Sequence, residues 1–453
     1  MKRPLLALAS ALISAAALTS AAYFVSVPAP ATRAIPLVDV PDEPHATTAT
    51  CPPLGNRGLT EAFALGQNES PAAGRLVADA ATDLELGAEA SRASAQTAAG
   101  ASISAEPTRA GTSLATGIIA APAPSGSFGY AATWCQGARR EAWFMGGDSR
   151  SDVVLTVTNP SREAQSVSVS GWGSQGEAPW AKASLNVEPL GTARLSLSSL
   201  NAGEDTPVWK IVTTGVGVVS SLTVTTAEGL HQRGYSTLPP LDEGRRLTLP
   251  TGRVNAGSKL RILNPTSEWV TATISARHGA RRDTLLAGDN GRIGPGSVVE
   301  IPLDAAESDE TTLEVVATGA VVAAAQVIGP TVQIPLTEGA DVAEELGADV
   351  DIDASDQTWV APVEAGSDVL LAVPQGTSGR IVGAPAERIR LTNVVTGNTR
   401  SFNGDVPAGL YRAHAAEPYA LGIIAHTDSG GIEWLSAQPL PAVAALTRVS
   451  VTP

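Results

Sequence analysis

A segment that occurs twice, 105 residues apart, constrains the fold of this chain more than any other feature of its sequence. Leu155–Ser161 (LTVTNPS) returns as Leu260–Thr266 (LRILNPT), and the turn at Gly191 returns at Gly296 with the same offset. A repeating unit of about 100 residues has the size of an immunoglobulin-like sandwich, and it is too long for a propeller blade or a solenoid coil. The repeat therefore predicts tandem sandwich domains.

Alternation of apolar and polar residues predicts that these domains are built from strands. Val153, Leu155 and Val157 alternate with more polar neighbours, and Val167 and Val169 alternate with serines. A period of two over a short run is typical of a strand with one buried face. The predicted fold class is all-β, with tandem immunoglobulin-like β-sandwich domains after an N-terminal signal or anchor helix.

Composition and periodicity divide the chain into seven parts. Within the third part, the residues leave helix, strand and partial disorder open, because Ala-rich stretches favour helix while the leucine spacing is that of a weak strand. The last repeat is degenerate, since Leu391-Thr392-Asn393 lacks the proline. The predicted parts are a signal peptide or signal-anchor helix (1–27), a Pro-rich stalk (28–45), an Ala/Gly/Ser-rich region (46–127), sandwich repeats 1 and 2 (128–242 and 243–336), an acidic linker (337–356) and sandwich repeat 3 (357–453).

The N-terminus predicts export. Lys2 and Arg3 precede a charge-free apolar run that extends to Val27, which is long enough to cross a bilayer. Cleavage would release a secreted protein, and an uncleaved run would anchor the chain in the membrane. An oxidising compartment favours disulfides, so the chain's two cysteines, Cys51 and Cys135, are expected to pair.

The order of these features resembles that of a known family. Cys135, the segment Glu141–Gly147 (EAWFMGG) and a strand that ends at Asn159-Pro160 are similar to domain-of-unknown-function family 5719, an exported actinobacterial family. The resemblance implies an exported or membrane-anchored envelope protein. It implies no catalytic residues, because none are assigned in that family.

Charge and motif content exclude several classes of function. The net charge is −15, from 30 Lys and Arg against 45 Asp and Glu, so nucleic acid is not an expected partner. The sequence contains no Gly-x-Ser-x-Gly elbow and no His-Glu-x-x-His, and its five histidines are scattered. We therefore expect a protein that is not an enzyme and needs no cofactor. A cryptic hydrolase would place a histidine in a cleft beside a serine or a carboxylate.

One acidic run is a weak candidate for calcium. Asp349, Asp351 and Asp353 alternate as oxygen ligands do in calcium loops, but an EF-hand would need glycine at Ala354 and an acidic residue at Val360. The competing interpretation is a solvated acidic linker that ends at Asp356. We expect no metal site here.

Tryptophans offer the other candidate site. Trp172 and Trp180 lie in a turn-rich segment, where exposed and coplanar rings would stack on a sugar, although packing over the core is the favoured interpretation. Trp134, Trp143 and Trp269 are expected in the core.

The sequence thus predicts a non-catalytic, extracytoplasmic envelope protein with a structural, scaffolding or adhesive role. Its partner would be another envelope protein or a cell-wall glycan, and the membrane itself if the N-terminal segment is uncleaved. The alternative is a carbohydrate-binding protein that acts on cell-wall polysaccharide.

Overall fold

Antiparallel strands form nearly all of the regular structure, and the described residues contain no α-helix. The predicted all-β class is confirmed. The predicted N-terminal helix lies outside the described residues. The computed structural model describes residues 37–40, 47–54, 58–65, 74–78, 82–86, 92–97, 101–105, 114–123, 129–147, 151–200, 207–228, 231–279, 281–303, 311–335, 351–401, 404–440 and 447–450.

The two ends of the chain form a small unit of their own. Strand β1 (Leu37–Val40) pairs antiparallel with strand β35 (Thr447–Ser450). This unit comprises 1–43 and 444–453, and 44–443 form a second unit. Part of the predicted stalk is therefore a strand, and the rest of it lies outside the described residues.

Module 1 (residues 47–134) is a sandwich of two four-stranded sheets, ordered β2-β7-β4-β5 and β6-β3-β8-β9. Of the alternatives left open for 46–127, the described residues adopt strands. Isoleucines and alanines of β8, such as Ile118 and Ala120, are buried. The strands are β2 (Thr47–Cys51), β3 (Gly58–Leu65), β4 (Gly74–Ala78), β5 (Thr82–Leu86), β6 (Arg92–Thr97), β7 (Ala101–Ala105), β8 (Leu114–Pro122) and β9 (Tyr130–Trp134).

Module 2 (residues 141–238) repeats this layout with sheets β10-β15-β12-β13 and β14-β11-β16-β17. Its first strand begins at Glu141, not at the predicted boundary of 128, because Tyr130–Trp134 pairs with β8 of module 1. The strands are β10 (Glu141–Met145), β11 (Asp152–Thr158), β12 (Gln165–Gly173), β13 (Gly176–Val187), β14 (Thr192–Ser196), β15 (Val208–Thr213), β16 (Val219–Glu228) and β17 (His231–Leu238).

Module 3 (residues 244–360) has the same pairing, but one long strand, β24, takes the place of two. The first half of β24 pairs with β18 and β20, and the second half pairs with β19 and β27. Strand β27, with which the predicted repeat 3 begins at 357, pairs with β24 of this module. The strands are β18 (Gly244–Gly252), β19 (Lys259–Leu263), β20 (Val270–His278), β21 (Arg281–Leu286), β22 (Arg292–Ile293), β23 (Val298–Pro302), β24 (Thr311–Ile328), β25 (Val332–Pro335), β26 (Asp351–Ala354) and β27 (Gln357–Val360).

Module 4 (residues 366–439) is one seven-stranded sheet system around the long strands β28 and β31. Its own core contains Leu371, Leu391 and Tyr411. The strands are β28 (Gly366–Val382), β29 (Ile389–Asn393), β30 (Thr399–Ser401), β31 (Val406–Tyr419), β32 (Gly422–His426), β33 (Ile432–Ser436) and β34 (Gln438–Pro439).

The Asn-Pro repeat has a physical cause that is the same in modules 2 and 3. The amide of Asn264 donates to the carbonyls of Glu268, Ile293 and Gly294 at 2.7, 3.2 and 3.0 Å, and its oxygen accepts from the Thr266 N–H and hydroxyl at 3.0 and 2.7 Å. Asn159 makes the corresponding five bonds in module 2. A fully buried asparagine thus supplies hydrogen-bond partners to the backbone N–H and C=O groups at a strand end and in the neighbouring turn.

Replacing this asparagine should destabilise its module. We expect Asn264→Ala to lower the free energy of unfolding by about 2–4 kcal/mol, because three carbonyls and one N–H lose a buried partner. Asn393→Ala is the matched control, since Asn393 lacks the proline and accepts from only two N–H groups, of Val395 and Thr396. Chemical denaturation measures both. Equal losses in the two variants would contradict the assigned role of the repeat.

Candidate functional site

The last strands of modules 1, 2 and 3 meet the penultimate strand of module 4, β33. Strands β9, β17, β27 and β33 contact one another in a cycle, β9 with β17, β17 with β27, β27 with β33, and β33 with β9. Three of them are edge strands of their sheets, and β27 pairs only with β24. An exposed edge strand presents unpaired N–H and C=O groups, which can recruit other chains. Here the edges cover one another, and we call this meeting point the junction.

The carboxylate of Asp356 holds the junction together. It accepts backbone hydrogen bonds from Gln357 at 2.8 Å and Ile432 at 2.7 Å, and also from Tyr130 and Tyr235. These four donors come one from each module. Asp356 is fully buried, so it is not the solvated linker residue that the acidic run predicted.

The space for this carboxylate exists because the neighbouring modules have glycine there. Gly129 and Gly234 directly precede the donors Tyr130 and Tyr235, just as Asp356 precedes Gln357. A Cβ atom at Gly129 would lie 2.7 Å from Asp356 Oδ1, and one at Gly234 would overlap the same oxygen. Gly234 also has a φ of 67° and is the unpaired residue of a β-bulge in β17. One aspartate therefore fills a space that any side chain at these glycines would close.

A second buried carboxyl, Glu433 of β33, connects three modules. It accepts from the N–H of Thr237 at 3.2 Å, and its Oε1 lies 2.9 Å from the Thr237 hydroxyl and 3.4 Å from the Thr358 hydroxyl. The Thr237 hydroxyl also lies 2.9 Å from the carbonyl of Ala132. A hydroxyl has one proton to donate and a carbonyl has none, so both contacts are satisfied when Glu433 is protonated and donates to Thr237.

The hydrogen-bond geometry favours the proton on Glu433 and the negative charge on Asp356. Burial raises the pKa of Glu433 well above its usual range, and the negative charge of Asp356 raises it further. Burial also raises the pKa of Asp356 well above its usual range, although four N–H donors oppose part of that rise. The donors around Asp356 are all N–H groups, which suit an ionised acceptor. Burial likewise raises the pKa of Tyr235 to about 12, and its hydroxyl donates to the carbonyl of Leu54 in module 1.

Further contacts bind neighbouring modules around the junction. The fully buried guanidinium of Arg261 in module 3 pairs with Glu300 at 3.0 Å and donates to the Pro207 carbonyl of module 2 at 3.0 Å. Glu61 of module 1 accepts from the Gln375 N–H of module 4 at 2.8 Å. One apolar core joins modules 2 and 3, and another joins modules 1 and 4. The four modules thus form a closed cycle of contacts.

The predicted disulfide is present and fastens module 1 beside the junction. Cys51 at the end of β2 bonds to Cys135, which directly follows the junction strand β9. The two cysteines are 84 residues apart, a separation at which a bridge stabilises a fold by about 3–5 kcal/mol. The bond indicates an extracytoplasmic, oxidising environment. The described residues include no helix that is long and apolar enough to cross a membrane.

The two candidate tryptophans do not form a joint platform. Trp180 is 58% exposed, whereas Trp172 packs against the core with its ring edge-to-face to Trp143, at 5.6 Å between centroids. Trp134 and Trp143 are buried as predicted. Trp269 is not a core residue, since it is 57% exposed and lies under the guanidinium of Arg292 at 4.5 Å. It precedes a strand in a polar turn, where the ring is covered by a neighbouring cation instead of a sheet.

Three histidines of the described ranges pair with acidic residues, and none of them belongs to a metal site. His278, His414 and His426 each lie within 4 Å of one aspartate, in partly exposed pairs with Asp283, Asp368 and Asp405. No group of three potential ligands converges in the part of the chain that the structure describes. Asp349 lies outside that part, and Asp351 and Asp353 belong to β26.

Sequence reasoning missed the junction although a signal was there. The pair Gly129-Tyr130 stands at the start of β9, and the pair Gly234-Tyr235 stands within β17, 105 residues later. This is the same offset as the Asn-Pro repeat. The aspartate that joins them stands at the end of an acidic run. Because its neighbours are acidic, the sequence pattern predicted a solvated linker there.

Removing the charge of Asp356 should destabilise the contact among all four modules. We expect Asp356→Asn to lower the free energy of unfolding by about 3–5 kcal/mol, because an amide group in place of one oxygen faces N–H donors. The control is Asp242→Asn. The exposed carboxylate of Asp242 pairs with Arg139 at 3.1 Å, and its loss should lower the free energy of unfolding by about 1 kcal/mol or less. Denaturant titration compares the two. A small effect of Asp356→Asn would show that this carboxyl is neutral.

The protonated Glu433 predicts that stability falls as pH rises. Its pKa is higher in the folded chain than in the unfolded chain, so unfolding above the ordinary glutamate pKa releases a proton. The free energy of unfolding should therefore fall from mildly acidic to neutral pH, by up to about 1.4 kcal/mol per pH unit. Glu433→Gln should flatten this dependence, and Glu417→Gln on the surface should keep it. A wild-type curve with the slope of Glu433→Gln would contradict the assignment.

Comparison with known proteins gives a family but no characterised relative. No curated protein matches this chain. The model of a family of unknown function (DUF5719) matches residues 55–398, which include the described strands from β3 to β29. The chain therefore belongs to the family of unknown function DUF5719.

Proposed function

We propose that this protein is a non-catalytic structural protein of the cell envelope, in which four β modules act as one rigid scaffold. The observation that carries the proposal is the convergence of one N–H donor from each module on the buried carboxylate of Asp356. Modules connected only by linkers move relative to one another by default. A shared, buried ionic junction removes that freedom.

Rigidity suits a role in holding a binding surface at a fixed place. In this arrangement the four junction strands cover one another, so a partner would contact the remaining loops and faces of the modules. The proposed partner is another envelope protein or a cell-wall glycan. The disulfide supports a location outside the cytoplasm. The net charge of −15 argues against nucleic acid as a partner.

The proposed rigidity can be measured as a distance between modules. Spin labels at Ser168→Cys in module 2 and Thr399→Cys in module 4 should give one narrow distance distribution in pulsed electron paramagnetic resonance. We expect this because the junction fixes the two modules relative to each other. Asp356→Asn should broaden it. A pair within module 2, Ser168→Cys with Glu188→Cys, is the control that should stay narrow in both backgrounds. A broad distribution in the wild-type background would contradict a rigid scaffold.

Location is tested in the native cells. Fractionation should place the protein outside the cytoplasm, and alkylation before reduction should leave Cys51 and Cys135 unmodified because they are bonded to each other. Sequencing of the mature N-terminus distinguishes a cleaved signal from an anchor. A cytoplasmic protein with two reactive thiols would overturn the proposed envelope role.

A further inference from the structure

A cleft of about 320 Å³ lies where modules 3 and 4 meet. Its volume is at the lower end of the range for sites that bind small molecules. Module 3 contributes Gly252 and Arg277, and module 4 contributes Val382–Pro385, Arg388 and Tyr419. None of these residues takes part in the junction.

Modules 3 and 4 are in close contact at residues that line the cleft. A Cβ atom at Gly252 would meet Val382 Cγ1 at 2.5 Å, and one at Gly383 would lie 2.9 Å from Pro250 Cβ. Both glycines have a positive φ, 65° and 103°. A side chain of the other module therefore packs directly against each glycine, which favours cleft walls that are in place before a ligand binds.

Two guanidinium groups line the cleft, and neither forms a close ion pair. Arg277 Nε lies 3.8 Å from Glu314, whose other oxygen is bound by Arg282 at 2.6 Å. Arg388 donates to the Tyr419 hydroxyl at 3.1 Å and lies 3.8 Å from Glu417, which also lines the cleft. The lining therefore carries two positive charges and one negative charge in a protein that is strongly acidic.

We propose that this cleft binds the carboxylate-bearing sugar of an acidic polysaccharide. A guanidinium fork matches a carboxylate in geometry and charge. Tyr419 and the apolar wall of Val382, Ala384 and Pro385 offer a face for the C–H side of a sugar ring, as aromatic and apolar groups do in ligand pockets. An extended acidic peptide would instead pair with a strand edge, whereas this site is a short cleft between two modules.

The inference goes beyond the scaffold role, because a rigid scaffold needs no ligand. Binding across the cleft would also hold module 3 against module 4, since each contributes one arginine. The scaffold is tested by distances between labels and the cleft by a ligand, so either result can fail while the other stands.

The test uses trigalacturonate as the probe and its fully methyl-esterified form as the uncharged match. Calorimetric titration into the full oxidised chain should show that the acid binds at least about tenfold more tightly than the ester, the effect expected for a charge-assisted hydrogen bond. Added salt should weaken binding of the acid, because the contact is electrostatic and partly exposed.

Variants locate the site. Arg277→Ala and Arg388→Ala should each weaken binding of the acid about tenfold or more, while Arg400→Ala, which removes an exposed arginine of the same module outside the cleft, should leave it unchanged. All three arginine side chains are at least partly exposed, so each variant should fold like the parent protein. Circular dichroism tests whether the folded structure is retained. Equal binding of acid and ester, no binding of either, loss of binding only in Arg400→Ala, or equal binding of a hexaglutamate peptide would each overturn the proposal.

Discussion

The rest of the structure depends on one buried negative charge that four backbone segments share. A carboxylate moved from water into a protein interior is costly unless hydrogen bonds replace its hydration. Asp356 meets that condition only when all four modules are in place, because each supplies one N–H donor. The same donors lie on strand edges that would otherwise be unpaired. The carboxylate therefore accepts hydrogen bonds from N–H groups of the junction strands. Separation of the modules would leave both the carboxylate and these strand edges exposed to water.

The junction also explains why one position differs among otherwise similar modules. Module 2 and module 3 share their pairing pattern, yet Gly234 in one corresponds to Asp356 in the other at the residue before the donor. Four aspartates would bring four like charges together, and four glycines would leave the donors without an acceptor. A single chain that joins modules end to end can place one carboxylate among glycines, which a symmetric assembly of identical chains could not do.

Some features of the candidate sites could be predicted and others could not. The disulfide followed from two cysteines in a chain with a predicted export segment, and the burial of Trp134 and Trp143 followed from their places in apolar strands. The prediction that Trp269 lies in the core was wrong. A cation from a neighbouring strand covers its ring, and such a contact has no sequence signal. Glu433 looks like an ordinary acidic residue, and only the packing of three modules around it makes it a buried acid.

The sequence by itself determined the all-β class, the alternating strands that follow module 1 and the loops of the Asn-Pro repeat. These depend on local rules: a period of two, a proline that ends a strand, and an asparagine that bonds to backbone within about 30 residues. Only the tertiary structure decided that strands β9, β17, β27 and β33 meet, that Asp356 and Glu433 are buried between them, and that two arginines line a cleft between modules 3 and 4. Those features join residues separated by 70 to 300 positions, and their energies come from burial and charge pairing that exist only after the modules have packed.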